Sequence, residues 1–486
     1  MSVFAIVLLA VAADVQVGSK KFTESVILGE IAAQVVRSEG VAATHRRELG
    51  GTRIVFEALR SGEIDAYVEY TGTLRAEIYA GKDARDDAAL RMRLEEDGLV
   101  ATRPLGFENT YALGLLADEA ERLGVRRVSD LVAHPDLAFG FTNEFLDRGD
   151  GWPGLRARYA LPQKNVRGLD HDLAYRALLS GDVLVTDLYT TDAEIREYAL
   201  RTLEDDLRYF PAYEAIVLRR ADLDPRAAAA LERLEGTIGA EAMIAMNARA
   251  KVDGVPEARV ASDFLRLSLG LETGAAEDSL AARLLARTLE HLALVGIALA
   301  ASVAVGVPLG VLGSLRPALG AALLGVAGVV QTIPSLALLV LLIPLLGIGA
   351  MPAIAALFLY GLLPIVRGTL SGLWGIPRDL RDSARALGLE AGARLRLVEM
   401  PLASPSILAG VRTAAVISVG TATLGALIGA GGYGQPILTG IRLARTSLLV
   451  EGAVPAAALA LAVERGLALL ERRLVSRGLR LSSQGV

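Results

Sequence analysis

Polar and apolar positions follow two different regimes along this chain. From residue 14 to about 285, charged residues interleave with short apolar runs; from 289 to 470, Ala, Leu, Val, Gly and Ile dominate and charges are confined to a few short stretches. The first regime is that of a soluble domain and the second that of a membrane domain. Five apolar segments are readable in the second, at about 289–313, 318–346, 350–369, 407–430 and 448–470. A helix needs roughly 20 such residues to cross a bilayer, so each predicts a span. The second is interrupted by Pro334 and Pro344, which predicts a kink. Such breaks are tolerated where neighbouring helices satisfy the freed backbone groups. A linker is expected at 276–288 and a cytoplasmic tail at 471–486.

The front half alternates short strands with helical stretches: VQVGS, then FTESVILGEIAAQVVRSEG, then IVFEALRSGEIDAYVEY. That alternation predicts an α/β architecture over 14–275. Gly18 and Ser19 follow a strand and a helix begins near Thr23. A helix start after such a turn can hold an anion, and ligands in open α/β sheets sit beyond the carboxyl ends of the strands.

Residues 1–13 contain an unbroken apolar run, Val3 to Ala13, ending in Ala10-Val11-Ala12. It is too short to span a membrane and lacks the basic start of a secretory signal. It reads as a signal or as a buried first strand. The signal is preferred because Asp14–Gly18 already supplies a strand. Arg378, Arg381, Arg385, Arg394 and Arg396 lie between the third and fourth spans, and Arg472, Arg473, Arg477 and Arg480 follow the fifth. Basic loops stay cytoplasmic. Five spans with an inside tail require an outside start, so the front domain is expected outside a bacterial-type plasma membrane. Arg442 and Arg445, on the expected outer side, run against that rule.

The net charge of −5 gives no sign of nucleic-acid binding. The chain has no Cys, and His45, His134, His171 and His291 are scattered without ligand spacing, so neither a disulfide nor a metal site is expected. No G-x-x-x-x-G-K-[ST] loop is present to cradle nucleotide phosphates, and no Ser-His-Asp constellation is apparent. The chain therefore reads as a non-enzyme without a cofactor.

Between the third and fourth spans lies DSARALGLEAGARLRLVEMP (Asp382–Pro401). Asp382-Ser383-Ala384 is followed by three residues and Gly388, then by nine residues and V-x-M-P ending at Pro401. This resembles the EAA coupling loop of ABC importer permeases, with conservative departures at three positions. The resemblance implies an all-α, MetI-like permease gripped at 371–405 by a separate ATPase subunit that uses the ATP. It also implies a second permease copy, since five spans form half a path. Lipid would surround the spans.

The front half carries GSKKFTES (Gly18–Ser25), DAYVEYTGT (Asp65–Thr73), ENTYALGL (Glu108–Leu115), TNEFLDRGDGWPGL (Thr142–Leu155), VTDLYTTDAEI (Val185–Ile195) and FPAYEAIVL (Phe210–Leu218). These resemble the substrate-binding proteins of glycine betaine/choline ABC transporters. In the membrane half, VVQTIPSLALL (Val329–Leu339), ALFLYGLLPIVRGT (Ala356–Thr369) and GTATLGALIGAGGYG (Gly420–Gly434) resemble the same family's permease. The resemblance implies a two-lobed periplasmic-binding-protein clamshell of type II. One lobe would comprise about 14–112 and 212–275, the other about 113–211. A quaternary ammonium offers no classical donor and is held by aromatic faces. The family's cage positions fall on Tyr70, Tyr111, Tyr189 and Tyr213. A betaine carboxylate needs donors, and the resemblance offers Lys20, Thr73 and Arg148, with Asn109 lining the pocket. The expected cargo is glycine betaine or a similar solute, with choline, carnitine and ergothioneine as alternatives. A ligand sensor is a remoter reading.

Overall fold

The short apolar runs of the front half become the strands of separate sheets. In the computed structural model, which describes residues 14–475 apart from 83, 85, 275–278 and 444, β1 (Val15–Gly18) lies between β2 (Ala43–Arg46) and β3 (Ala66–Tyr70) and is parallel to both. Beyond β3, in sheet order, come β10 (Ala215–Arg220) and then β4 (Leu99–Ala101), with β10 antiparallel to both neighbours. β3 is buried along its whole length because both edges are paired and both faces covered. The helix Thr23–Ser38 packs on this sheet and against the helices Ala240–Lys251 and Glu257–Leu269. A second set of strands joins β5 (Tyr111–Leu116) to β8 (Thr186–Tyr189) and β9 (Leu200–Thr202), and a parallel pair is formed by β6 (Phe139–Thr142) and β7 (Val166–Leu169).

The chain passes between the two sheets twice, and the two passages run side by side. Leu105 donates its N–H to Ala215 (2.8 Å), Ala215 to Phe107 (3.2 Å) and Asn109 to Tyr213 (3.0 Å). The result is the two-lobed clamshell expected from the sequence. One boundary differs: Tyr111 and Ala112, assigned above to the first lobe, pair with Tyr189 and Leu188 in the second.

The chain divides into two compact units after Ala276. Among the described residues of the second, four helical stretches are long and apolar enough to cross a membrane: Leu280–Leu315, Ala350–Trp374, Ala391–Ile428 and Thr446–Arg473. A fifth span exists if the bent pair Pro317–Thr332 and Ser335–Leu346 counts as one. That pair turns through 98°, far more than a kink. Pro334 sits at the start of its second helix, whereas Pro344 lies inside that helix without ending it. The corner is pinned from Ala350–Trp374: the Tyr360 hydroxyl donates to the Ile333 carbonyl, and Gln331 Nε2 donates to the Tyr360 carbonyl at 3.0 Å. The expected linker is helical from Leu280, because the apolar pattern of the first span extends back through an amphipathic stretch. A short helix, Gly434–Arg442, was not foreseen; it carries Arg442, which is buried rather than held in an outer loop. The expected leader 1–13 and the tail beyond Val475 lie outside the described residues.

Candidate ligand-binding site

Strand register brings the four expected tyrosines together. Tyr70 closes β3 opposite Ala215, two residues after Tyr213; Tyr111 opens β5 opposite Tyr189 at the end of β8. The Tyr111 ring lies 5.0 Å from that of Tyr189 and 5.9 Å, edge-on, from that of Tyr213. Tyr70 joins through a residue not singled out in the sequence, Phe22, which stacks on Tyr189 at 5.8 Å and Tyr70 at 6.4 Å. Gly72 makes room for the Tyr213 ring: a Cβ there would stand 2.5–2.8 Å from three ring carbons.

Lys20 and Arg148 also reach the rings, but each is already paired. Lys20 Nζ donates to Glu69 Oε1 at 2.5 Å and lies 5.0 Å from the Tyr70 ring centre. Glu69 further accepts from the Tyr67 hydroxyl (3.1 Å) and the Tyr70 N–H (2.8 Å). Arg148 forks onto Asp150 (2.8 and 2.6 Å), reaches Glu77 at 2.8 Å and lies 5.7 Å from the Tyr111 ring centre. Burial opposes ionisation of Asp150, but Arg148 and a hydrogen bond from the Tyr213 hydroxyl (2.6 Å) outweigh it and hold its pKa below the ordinary value. A ligand carboxylate would therefore share these cations with three resident ones. Thr73 is buried in the turn that follows β3.

Asn109 does not stand alone. Its Nδ2 donates at 2.8 Å to Glu24, a buried carboxylate in the first turn of Thr23–Ser38. The Tyr70 hydroxyl (2.6 Å), the Thr191 hydroxyl (2.5 Å) and Asn247 Nδ2 (3.0 Å) donate to the same group. Burial raises the Glu24 pKa despite these donors. In the second lobe Asp192 gathers the Tyr189 N–H (2.9 Å), the Tyr175 hydroxyl (2.5 Å) and His171 Nε2 (3.1 Å), and the His171 ring stacks 5.1 Å from that of Tyr189.

Folding also creates an arrangement the sequence hid. His45 Nε2 lies 2.9 Å from Ser19 Oγ, and its Nδ1 lies 3.1 Å from Glu30. This has the order of nucleophile, base and orienting acid. Ser19 is fully buried, however, and its oxygen already accepts the Glu48 N–H at 3.2 Å. Burial lowers the His45 pKa despite Glu30. The trio braces the strand–helix turn beneath Lys20. No three His, Asp or Glu side chains among the described residues are grouped to hold a metal.

In the second unit, Asp382, Ser383 and Ala384 lie on the helix Arg378–Ala386; Ala384 is buried, and Asp382 pairs on the surface with Arg385 at 3.2 Å. Gly388 has φ +77°, which explains glycine at that position, and Leu387 beside it is 81% exposed. Glu399 ties the loop together through Arg394 at 3.1 Å, and Pro401 sits in the first turn of Met400–Ala422.

A family model described as the substrate binding domain of ABC-type glycine betaine transport system matches residues 13–267. A second, the binding-protein-dependent transport system inner membrane component, matches 306–476. The choline transport system permease protein OpuBB of Bacillus subtilis is 42% identical over 196 residues, 40% of this chain and 90% of that protein. The glycine-betaine-binding protein of Pseudomonas aeruginosa is 34% identical over 288 residues, 55% of this chain and 92% of that protein. The ergothioneine transport permease/ergothioneine binding protein EgtU of Helicobacter pylori is 32% identical over 263 residues, 52% of this chain and 47% of that protein. The permease match and the apolar helices place the chain in the inner membrane as a multi-pass protein, with the binding domain extracytoplasmic. Ring-lined clamshell and bent-helix membrane unit thus sit in one polypeptide, and the chain belongs to the glycine betaine-type ABC importer family, a substrate-binding domain fused to its permease domain.

Proposed function

We propose that the binding domain captures a quaternary ammonium solute, glycine betaine or a similar zwitterion, and that the membrane unit passes it inward. A separate ATPase subunit would hydrolyse ATP and grip Asp382, Ser383, Ala384, Gly388 and Pro401; a second copy of the chain would complete the path within the lipid. The observation that carries the cargo class is the linked set of rings. Three of them, Phe22, Tyr70 and Tyr111, already face cations of the protein itself, the attraction a trimethylammonium group would exploit at roughly 0.5–2 kcal/mol per ring. Calorimetric titration of the full chain in nanodiscs with glycine betaine, choline, carnitine and ergothioneine tests this. Tight binding of one, lost in Tyr111→Ala, supports the reading; no heat with any of the four overturns it.

The pairing of Lys20 and Arg148 with resident carboxylates favours a second reading, in which the cargo is a cation without a carboxylate, such as choline. Arg148→Met separates the two. It weakens glycine betaine far more than choline if the guanidinium receives a ligand carboxylate, and weakens both alike if it serves only the protein.

A further inference from the structure

We propose that Glu24 is a positioning residue through which the ring cage and the closure of the lobes become one event. The inference rests on the cage reading above. Glu24 Oε1 accepts from Tyr70, a cage ring of the first lobe, and from Asn109 on a crossing strand. Its Oε2 accepts from Asn247, also of the first lobe, and from Thr191, which lies in the second lobe two residues after the cage residue Tyr189. Asn247 Nδ2 also donates to the Thr191 carbonyl at 2.9 Å. One turn further along the same helix, Lys251 Nζ donates to Glu194 at 2.6 Å.

The segment Tyr189–Glu194 therefore does two things. It holds a ring of the cage, fixed by Asp192 from within its own lobe, and it docks onto the first lobe through Thr191 and Glu194. None of these contacts needs a ligand. A buried carboxylate is costly unless its donors are delivered together. Opening the lobes withdraws the Thr191 donor and leaves Glu24 undersupplied, so the closed form is favoured before cargo arrives. The contact exists only when the lobes are closed. Its loss therefore speeds ligand release, and speeds capture to the extent that the ligand-free lobes had been closed.

Thr191→Val removes the hydroxyl while keeping the shape, and Thr191→Ser restores it. Lys251→Met weakens the neighbouring contact independently. The chain has no Cys, so dyes can be attached through Arg60→Cys in the first lobe and Arg122→Cys in the second, both on the surface. Single-molecule energy transfer on the full chain in nanodiscs then reads lobe separation, and stopped-flow reads glycine betaine and choline kinetics. Without ligand, Thr191→Val and Lys251→Met shift the population toward longer separations. With ligand, release accelerates roughly tenfold, about 1.4 kcal/mol, while the on-rate stays level or rises with the open population, and Thr191→Ser behaves as the parent. Parent-like separations and release rates in both Thr191→Val and Lys251→Met overturn the proposal. So does a slower on-rate with release unchanged in Thr191→Val. The ligand-free separation needs no cargo, so a shift there supports the coupling even if neither solute binds and the cargo reading falls.

Discussion

Asp187 offers a quantitative test of how the second lobe holds Arg148 in place. It is 1% exposed and accepts both the N–H and the hydroxyl of Thr142, at 2.6 and 2.7 Å. Thr142 starts the short helix Asn143–Asp147, whose end is Arg148, so this carboxyl is the strut beneath the guanidinium. Burial raises its pKa from 3.8 to about 6, against the pull of the Thr142 hydrogen bonds. The folded protein thus holds this proton more tightly than the unfolded chain, and stability falls as pH rises through the window between these values. At about 1.4 kcal/mol per pKa unit, ionisation costs about 3 kcal/mol above pH 6, and the cost vanishes below pH 3.8. Asp187→Asn removes the charge. Its amide oxygen keeps the N–H, and the rotatable Thr142 hydroxyl accepts from the new amide. The variant should therefore be more stable than the parent by about 3 kcal/mol at pH 8, converging toward it near pH 4. Urea unfolding of the full chain, followed through Trp152 in a Trp374→Phe background, measures this; Trp152 packs among Phe139 and Phe141. A difference that does not change with pH, or a variant less stable at pH 8, refutes the reasoning.

Two other outcomes follow from single glycines. Gly72→Ala drives a methyl group into the Tyr213 ring, so ligand affinity in nanodisc calorimetry should fall at least tenfold while the melting temperature moves by only a few degrees. Gly388→Ala places a side chain at φ +77°, costing about 1 kcal/mol at the tip of the proposed coupling loop. ATP-driven uptake in proteoliposomes should drop several-fold with ligand affinity unchanged; equal loss of both would remove the loop from the coupling role.

Most of the architecture was legible because two patterns were strong: strand–helix alternation in front and long apolar segments behind. The four tyrosines were legible because each sits in a motif. Glu24 was not, although it lies in one of those motifs, because its partners are 46, 85, 167 and 223 positions away. Phe22 read only as the start of a helix. The pairing of Lys20 and Arg148 stayed hidden for the same reason, since Glu69 and Glu77 approach only after folding. Pro334 marked the break in the second apolar segment, but its angle comes from Tyr360 on another helix, and Pro344 broke nothing. The lobe boundary slipped by two residues because the register of Tyr111 with Tyr189, not sequence position, assigns a strand to its sheet.

The two crossing passages lie hydrogen-bonded side by side rather than as one tether. A single tether would let the lobes swivel, twist and slide. A paired ribbon leaves essentially one axis of rotation, so closure is a search along one coordinate. Each time the lobes shut, Tyr111 and Tyr189 return to face Tyr70, Tyr213 and Phe22 in the same alignment. The orientational entropy of assembling five rings is thereby borne by covalent connectivity, and a small ligand need not supply it.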